Sequence, residues 1–196
     1  MAKQKSMADR FKQKHTAYHE AGHAVAAVVE ELQFPEVTIN PNEVEGTLGH
    51  VLLDGFDKRF RPDVQITPRR GEQLMAYALV AYAGAAGAGL YAGRDFDWTG
   101  AGEDRRKALN YLSYLESEPE ALGAMAKMQM LRARNVIKLH WRAVELIAKR
   151  LLAQPQRKMS FADVHTAMMD CGRARTAARS AVTSSRAQHQ HIEPTA

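Results

Sequence analysis

The sequence predicts an α+β fold that is mainly α, with a small β-sheet packed beside one histidine-bearing helix. Three observations carry this expectation. Apolar and alanine-rich stretches long enough for helices fill most of residues 16–171. One short region, "EVTIN" followed by "GTLGHVLLD", alternates as strands do. The chain has 196 residues, of which 45% are hydrophobic and 25% charged, which suits one domain with a substantial core.

The elements follow in order. A helix over 16–32 takes Thr16 as its N-cap, and Pro35 lies beyond its end. Within it Gly22 is a poor helix former, best explained by another element packing closely there. The strand region comes next, and residues 55–70 form a polar loop. A small-residue helix covers 71–92, and its uncharged run from Gln73 to Gly93 is long enough to span a bilayer. That run is mostly Ala, Gly and Tyr, so it is expected to be buried against the equally small-residued "HEAGH" helix, with no membrane span. A Gly/Asp/Trp loop leads to a helix over 101–116. Further helices cover roughly 119–153 and 160–171, the last with Ser160 as cap and Asp163 in its first turn.

Net charge is +5, but its distribution excludes a basic folded face. Residues 1–14 hold five Lys/Arg against Asp9, and 172–196 hold four Arg against Glu193, which leaves the body slightly acidic. The expected organisation is a basic flexible tail over 1–14, a domain over 15–171 and a disordered Arg/Ser/Gln/His tail over 172–196. No specific nucleic-acid partner is expected. The single Cys171 excludes an internal disulfide, and "MAKQKSMADRFKQKH" has no apolar signal core, so a cytoplasmic location is expected.

The chemistry is concentrated in "TAYHEAGHAV". On a helix His19 and His23 lie one turn apart on one face, so their ring nitrogens can converge on an ion, with Glu20 beside them. This HExxH arrangement suits zinc held by two neutral imidazoles, with the glutamate as general base. A third ligand is needed. A downstream glycine and third histidine are excluded, because Ala26 and Val29 stand there. Glu30 and Glu31 are about two turns, roughly 10 Å, along the helix. Glu43 and Glu45 lie in turn and strand, and the acidic cluster in "DFDWTGAGEDRRKALNYL" remains the best source.

The strings "TAYHEAGHAV", "VTINP", "GTLGHVLL", "AYAGAAGAGLYAG" and "TGAGEDRRKA" stand in an order that resembles the peptidase domain of FtsH-type zinc metalloproteases. The resemblance runs from Thr16 to about Leu115 and weakly to about Cys171. It implies one Zn2+ per chain on His19, His23 and Asp104, with Glu20 as the catalytic base and Glu103 in a place commonly held by asparagine. It departs in "AYAGAAGAGLYAG", which lacks the family's arginine and glutamates. No G-x-x-x-x-G-K-[ST] phosphate loop occurs, so any ATP-driven unfolding would come from a separate ATPase.

The expected activity is that of a zinc-dependent metalloendopeptidase acting on flexible or unfolded polypeptides, with a possible homo-oligomeric assembly. Zincins commonly align substrate along an edge strand, and Gly49, His50 and Val51 are the candidate substrate-binding residues, with His50 a candidate oxyanion donor. The alternative is a catalytically silent, zinc-binding regulatory or interaction protein of the same fold. An accessory acting through its basic tails on nucleic acid or a membrane surface is the remaining rival. His140 beside Trp141 and the run "MAKMQM" are expected to be packing residues, and His189 with His191 at best a weak metal binder.

Overall fold

The computed structural model describes residues 6–41, 49–51 and 66–174. Helix α1 (Met7–Val29) is followed by strands β1 (Glu36–Thr38) and β2 (His50–Val51), then by helices α2 (Pro68–Tyr91), α3 (Gly102–Ser113), α4 (Pro119–Leu139) and α5 (Trp141–Ala153). Strand β3 (Lys158–Ser160) and a last helix, α6, described over 161–174, complete the order. The class is α+β, mainly α, as the sequence predicts.

Several boundaries differ, each for a local reason. Ser6 caps α1 in place of Thr16. Its hydroxyl accepts the Asp9 N–H at 3.1 Å, and the Asp9 carboxylate takes the Ser6 N–H at 3.3 Å. Thr16 is interior to the helix and donates its hydroxyl to the Lys12 carbonyl at 3.0 Å. Residues 7–14, expected as part of a flexible tail, are therefore the first two turns of α1 and mostly exposed. The helix stops at Val29 because Glu31 takes a left-handed φ of 57°. The Glu31 and Leu32 amides then close back on the Val28 and Ala27 carbonyls, which satisfies the helix end.

The expected helical run over 119–153 is two helices, broken at His140, whose amide still reaches the Val136 carbonyl. Strand β3 had no counterpart in the sequence reading, because three residues are too few to show a period. Thr67 caps α2 through the Arg70 N–H at 3.3 Å, with Pro68 in the first turn. Of the expected strand "GTLGHVLLD" only His50 and Val51 are seen as a strand; most of its remainder lies outside the described residues, as do residues 55–65 of the polar loop.

Helix α2 is the centre of the core. Its residues from Leu74 to Gly89 are almost all buried, among α1, α3 and α4. It is long and apolar enough to cross a membrane, yet 83% of its most apolar window is buried within the fold. The small residues explain the close crossing of α1 and α2. A Cβ on Gly22 would lie 2.5 Å from the Ala83 carbonyl oxygen, and one on Gly87 would lie 2.5 Å from that of Tyr18. Helix α5 closes the other side of α1, where Trp141 stacks on Tyr18 with ring centroids 5.5 Å apart.

The sheet has the order β2-β1-β3, with β1 antiparallel to both neighbours. Val37 pairs with Val51 on one side and with Met159 on the other. Val37 and Met159 are buried, while Lys158 and Glu36 form an exposed ion pair at 3.0 Å. Strand β2 is therefore an edge strand among the described residues.

Candidate metal centre

His19 and His23 come from the middle of α1, and Asp104 from the first turn of α3, where the helix N-terminus favours a carboxylate. The fold brings Asp104 to the two histidines from at least 81 positions further along the chain. His19 Nε2 lies 3.0 Å from His23 Nε2 and 3.0 Å from Asp104 Oδ2, and His23 Nε2 lies 3.4 Å from the same oxygen. Three lone-pair donors at the corners of so small a triangle leave room for one ion roughly 2 Å from each, the bond length of a first-row metal to nitrogen or oxygen. The group can hold a metal ion.

The tautomer suits that role. His23 Nδ1 lies 2.7 Å from the Val80 carbonyl, to which its N–H donates, and this leaves Nε2 free as a lone-pair donor. The contact also fixes the ring plane. Glu103 turns elsewhere and pairs with Arg106 at 2.6 Å on the surface.

Space for the group is provided by a residue that the sequence did not single out. A Cβ on Gly84 of α2 would collide with the His23 ring and lie 2.7 Å from His19 Nε2. The signal was present in "AGAAGAG", but close packing alone does not say which glycine faces the histidines.

Glu20 lies beside the group and is 5% exposed, with no hydrogen-bond partner on Oε2. On its other side is the chain entering β2, since a Cβ on Gly49 would lie 2.9 Å from Glu20 Cγ and 3.0 Å from Oε1. The same Cβ would lie 2.7 Å from the Thr38 carbonyl oxygen, so only glycine lets this backbone approach. His50 and Val51 follow in β2, opposite Thr38 and Val37.

The other candidates are placed away from the group. Glu30 faces Arg132 at 3.6 Å, and Glu31 sits at the helix stop. Trp141 packs on Tyr18, as expected of a packing residue. The run "MAKMQM" is a mixed face, with Ala126 buried and Met128 45% exposed, so it is a core stripe only in part. Glu43, Glu45, His189 and His191 lie outside the described residues.

Electrostatics tie the group together in the absence of an ion. Burial disfavours the charged form of His23, but the nearby Asp104 carboxylate outweighs it and pushes the imidazole up to about 9. Burial also pushes Glu20 up to about 8, with Asp104 adding to the effect and His23 and Lys107 opposing it. Burial lowers His19. Asp104 is held well below the usual carboxylate range, because the histidines outweigh its own burial.

These shifts give a pH dependence with a definite sign. The folded, metal-free protein holds protons on His23 and Glu20 that the unfolded chain has released at the same pH, so stability falls as pH rises through 7 to 9. His19, lowered by burial, opposes the trend only at the lower end of that window, where the unfolded imidazole still carries some charge, and Asp104 contributes only in acid. The melting temperature in chelator is expected to drop from pH 7 to pH 9. Saturating metal should displace the His23 proton and flatten the curve, which differential scanning calorimetry would measure. A metal-free melting temperature that climbs over this range would contradict the assignment.

No protein-family model matches the chain, and no curated protein matches it.

Proposed function

We propose that the protein is a zinc-dependent metalloendopeptidase that hydrolyses peptide bonds in flexible or unfolded polypeptides. The observation that carries this reading is the position of Glu20. Its buried carboxylate, with no hydrogen-bond partner on Oε2, lies between a three-donor metal group and the backbone entering a strand that is an edge among the described residues. Two imidazoles and one carboxylate are a donor set that would suit catalytic zinc. The resemblance to FtsH-type peptidases supports the same choice of metal and reaction.

When bound, zinc supplies the Lewis acidity that activates water and polarises the scissile carbonyl. The chain's own residues do the rest. His19, His23 and Asp104 fix the position of the ion, and the Val80 carbonyl holds His23 in the required tautomer. Glu20 accepts the proton of the attacking water on a carboxylate oxygen and delivers it to the leaving amine nitrogen. Burial suits it to this work, because a carboxylate screened from water is a stronger base. Strand β2, an edge strand among the described residues, would present hydrogen-bonding groups to an extended substrate, with Gly49 bringing that backbone over Glu20. Only extended segments can pair in this way, which restricts substrates to flexible or unfolded chains.

The test is incubation of the zinc-loaded protein with a reduced, permanently unfolded protein, followed by mass spectrometry of the products. Internal cleavage that stops with chelator and returns with zinc is expected. Intact substrate in the presence of a zinc-occupied site would favour the silent, metal-binding alternative.

A further inference from the structure

We propose that His15 and Asp97 form a positioning pair that sets the approach of Asp104 to His19 and His23, so that metal affinity depends on a contact outside the ligand set. The inference rests on the metal-binding reading of the three-donor group.

His15 lies one turn before His19 on α1, and its Nε2 is 3.3 Å from Asp97 Oδ2. Asp97 belongs to the loop between α2 and α3, seven positions before Asp104, and is 7% exposed. An acidic side chain buried to that extent in a loop is rare unless it is paired. Its other oxygen, Oδ1, accepts the Thr99 N–H at 3.0 Å, and its own backbone N–H donates to the Ala85 carbonyl at 2.8 Å. Ala85 adjoins Gly84, the residue that makes room for the histidine rings. Asp97 thus joins α1, α2 and the start of the path to α3 at one point.

The rest of the loop is fastened on either side. Asp95 binds Arg134 at 2.6 Å and Lys138 at 3.1 Å on α4. The Phe96 backbone presses on α2 where a Cβ on Gly89 would lie 2.5 Å from Phe96 Cα. Beyond Asp97, α3 begins at Gly102 with Ala101 as N-cap and no side-chain cap of its own. The start of α3, which carries Asp104, packs on α2 and is tied to the loop before it by the Ala101 N–H, which donates to the Trp98 carbonyl at 3.0 Å. The charge that this loop turns toward α1 is that of Asp97, whose Oδ2 lies 3.3 Å from a histidine on the helix that supplies the other two donors and 3.8 Å from the exposed Arg94. Burial alone would raise the Asp97 carboxyl, but the Thr99 side chain and amide, and then His15, hold it below its ordinary value, so it is ionised.

The experiment is titration of the full-length chain with Zn2+ and with Co2+, the latter followed by its visible absorption, using wild type, Asp97→Asn and His15→Ala. Asparagine keeps an oxygen for the Thr99 amide and removes the charge facing His15. Each single variant is expected to bind Zn2+ about 10–100-fold more weakly, the usual loss when a residue orienting a ligand is removed. The double variant should be no weaker than the worse single one. The Co2+ spectrum should move toward that of Asp104→Ala. In the Asp104→Ala background, Asp97→Asn should cost nothing further, which separates positioning from a general loss of negative charge near a cation. Unchanged affinity and spectrum with a lower metal-free melting temperature would make the pair merely structural and overturn the proposal. An equal loss in the Asp104→Ala background would overturn it too. A wild-type protein that binds neither ion would instead overturn the metal-binding reading itself.

Discussion

Glu20→Gln is expected to lower cleavage of an unfolded protein by about 10²–10⁴-fold, the usual contribution of a positioned general base. Glutamine matches the size of glutamate and leaves His19, His23 and Asp104 untouched, so zinc content should equal that of wild type. The two measurements must be made on the same preparation. Lost cleavage with full zinc occupancy assigns the base. Cleavage at the wild-type rate would remove Glu20 from the mechanism, and lost zinc would show that the carboxylate belongs to the metal's surroundings rather than to proton transfer. The glutamine amide should also relieve an unpaired buried carboxylate, so the metal-free variant is expected to be at least as stable as wild type at pH 9, where Glu20 is ionised.

Gly84→Ala is expected to weaken metal binding by at least about 100-fold, because the added methyl displaces the His23 ring by enough to spoil the donor geometry. The fold should survive. The atoms it would meet are the tips of His23 and His19, which can rotate away, and alanine gains up to about 1 kcal/mol of helix propensity over glycine. Gly22→Ala gives the contrast. Its Cβ would strike the backbone of Ala83, which cannot rotate aside, so about 1–3 kcal/mol of overpacking should appear in the metal-free melting temperature. Gly123→Ala, with open space around it on α4, should change neither metal affinity nor packing. A Gly84→Ala protein that binds zinc as wild type does would place the ion away from this triangle.

The four residues of the candidate site differ in how far the sequence disclosed them. His19, Glu20 and His23 follow from spacing on a helix, a local property. Asp104 could be proposed only by resemblance, since nothing local links it to a helix 81 residues upstream. The structure brings it to 3.0 Å from His19. The small-residue helix was legible as a buried partner of α1, because alanine and glycine are useful mainly where helix backbones approach closely. The particular roles of Gly84 and Asp97 were not, since they depend on a crossing point and a loop path that periodicity does not encode. Ser6 opens "SMAD", a capping-box pattern, but the five Lys/Arg of residues 1–14 give the segment the character of a solvated tail. The break at His140 has no glycine or proline to announce it.

The glycines along the α1–α2 crossing are restrained by different kinds of neighbour. Gly22 and Gly87 are held by backbone, and any descendant that keeps the fold must keep them small. The nearest atoms to a Cβ on Gly84 are two imidazole tips, so its tightest restraint lasts as long as the histidines must meet an ion. A lineage that abandoned the metal would be free to accumulate alanine or serine there while its two neighbours stayed fixed. The residue at this one position should therefore separate metal-binding descendants from those that have lost the ion, even among chains in which both histidines happen to survive.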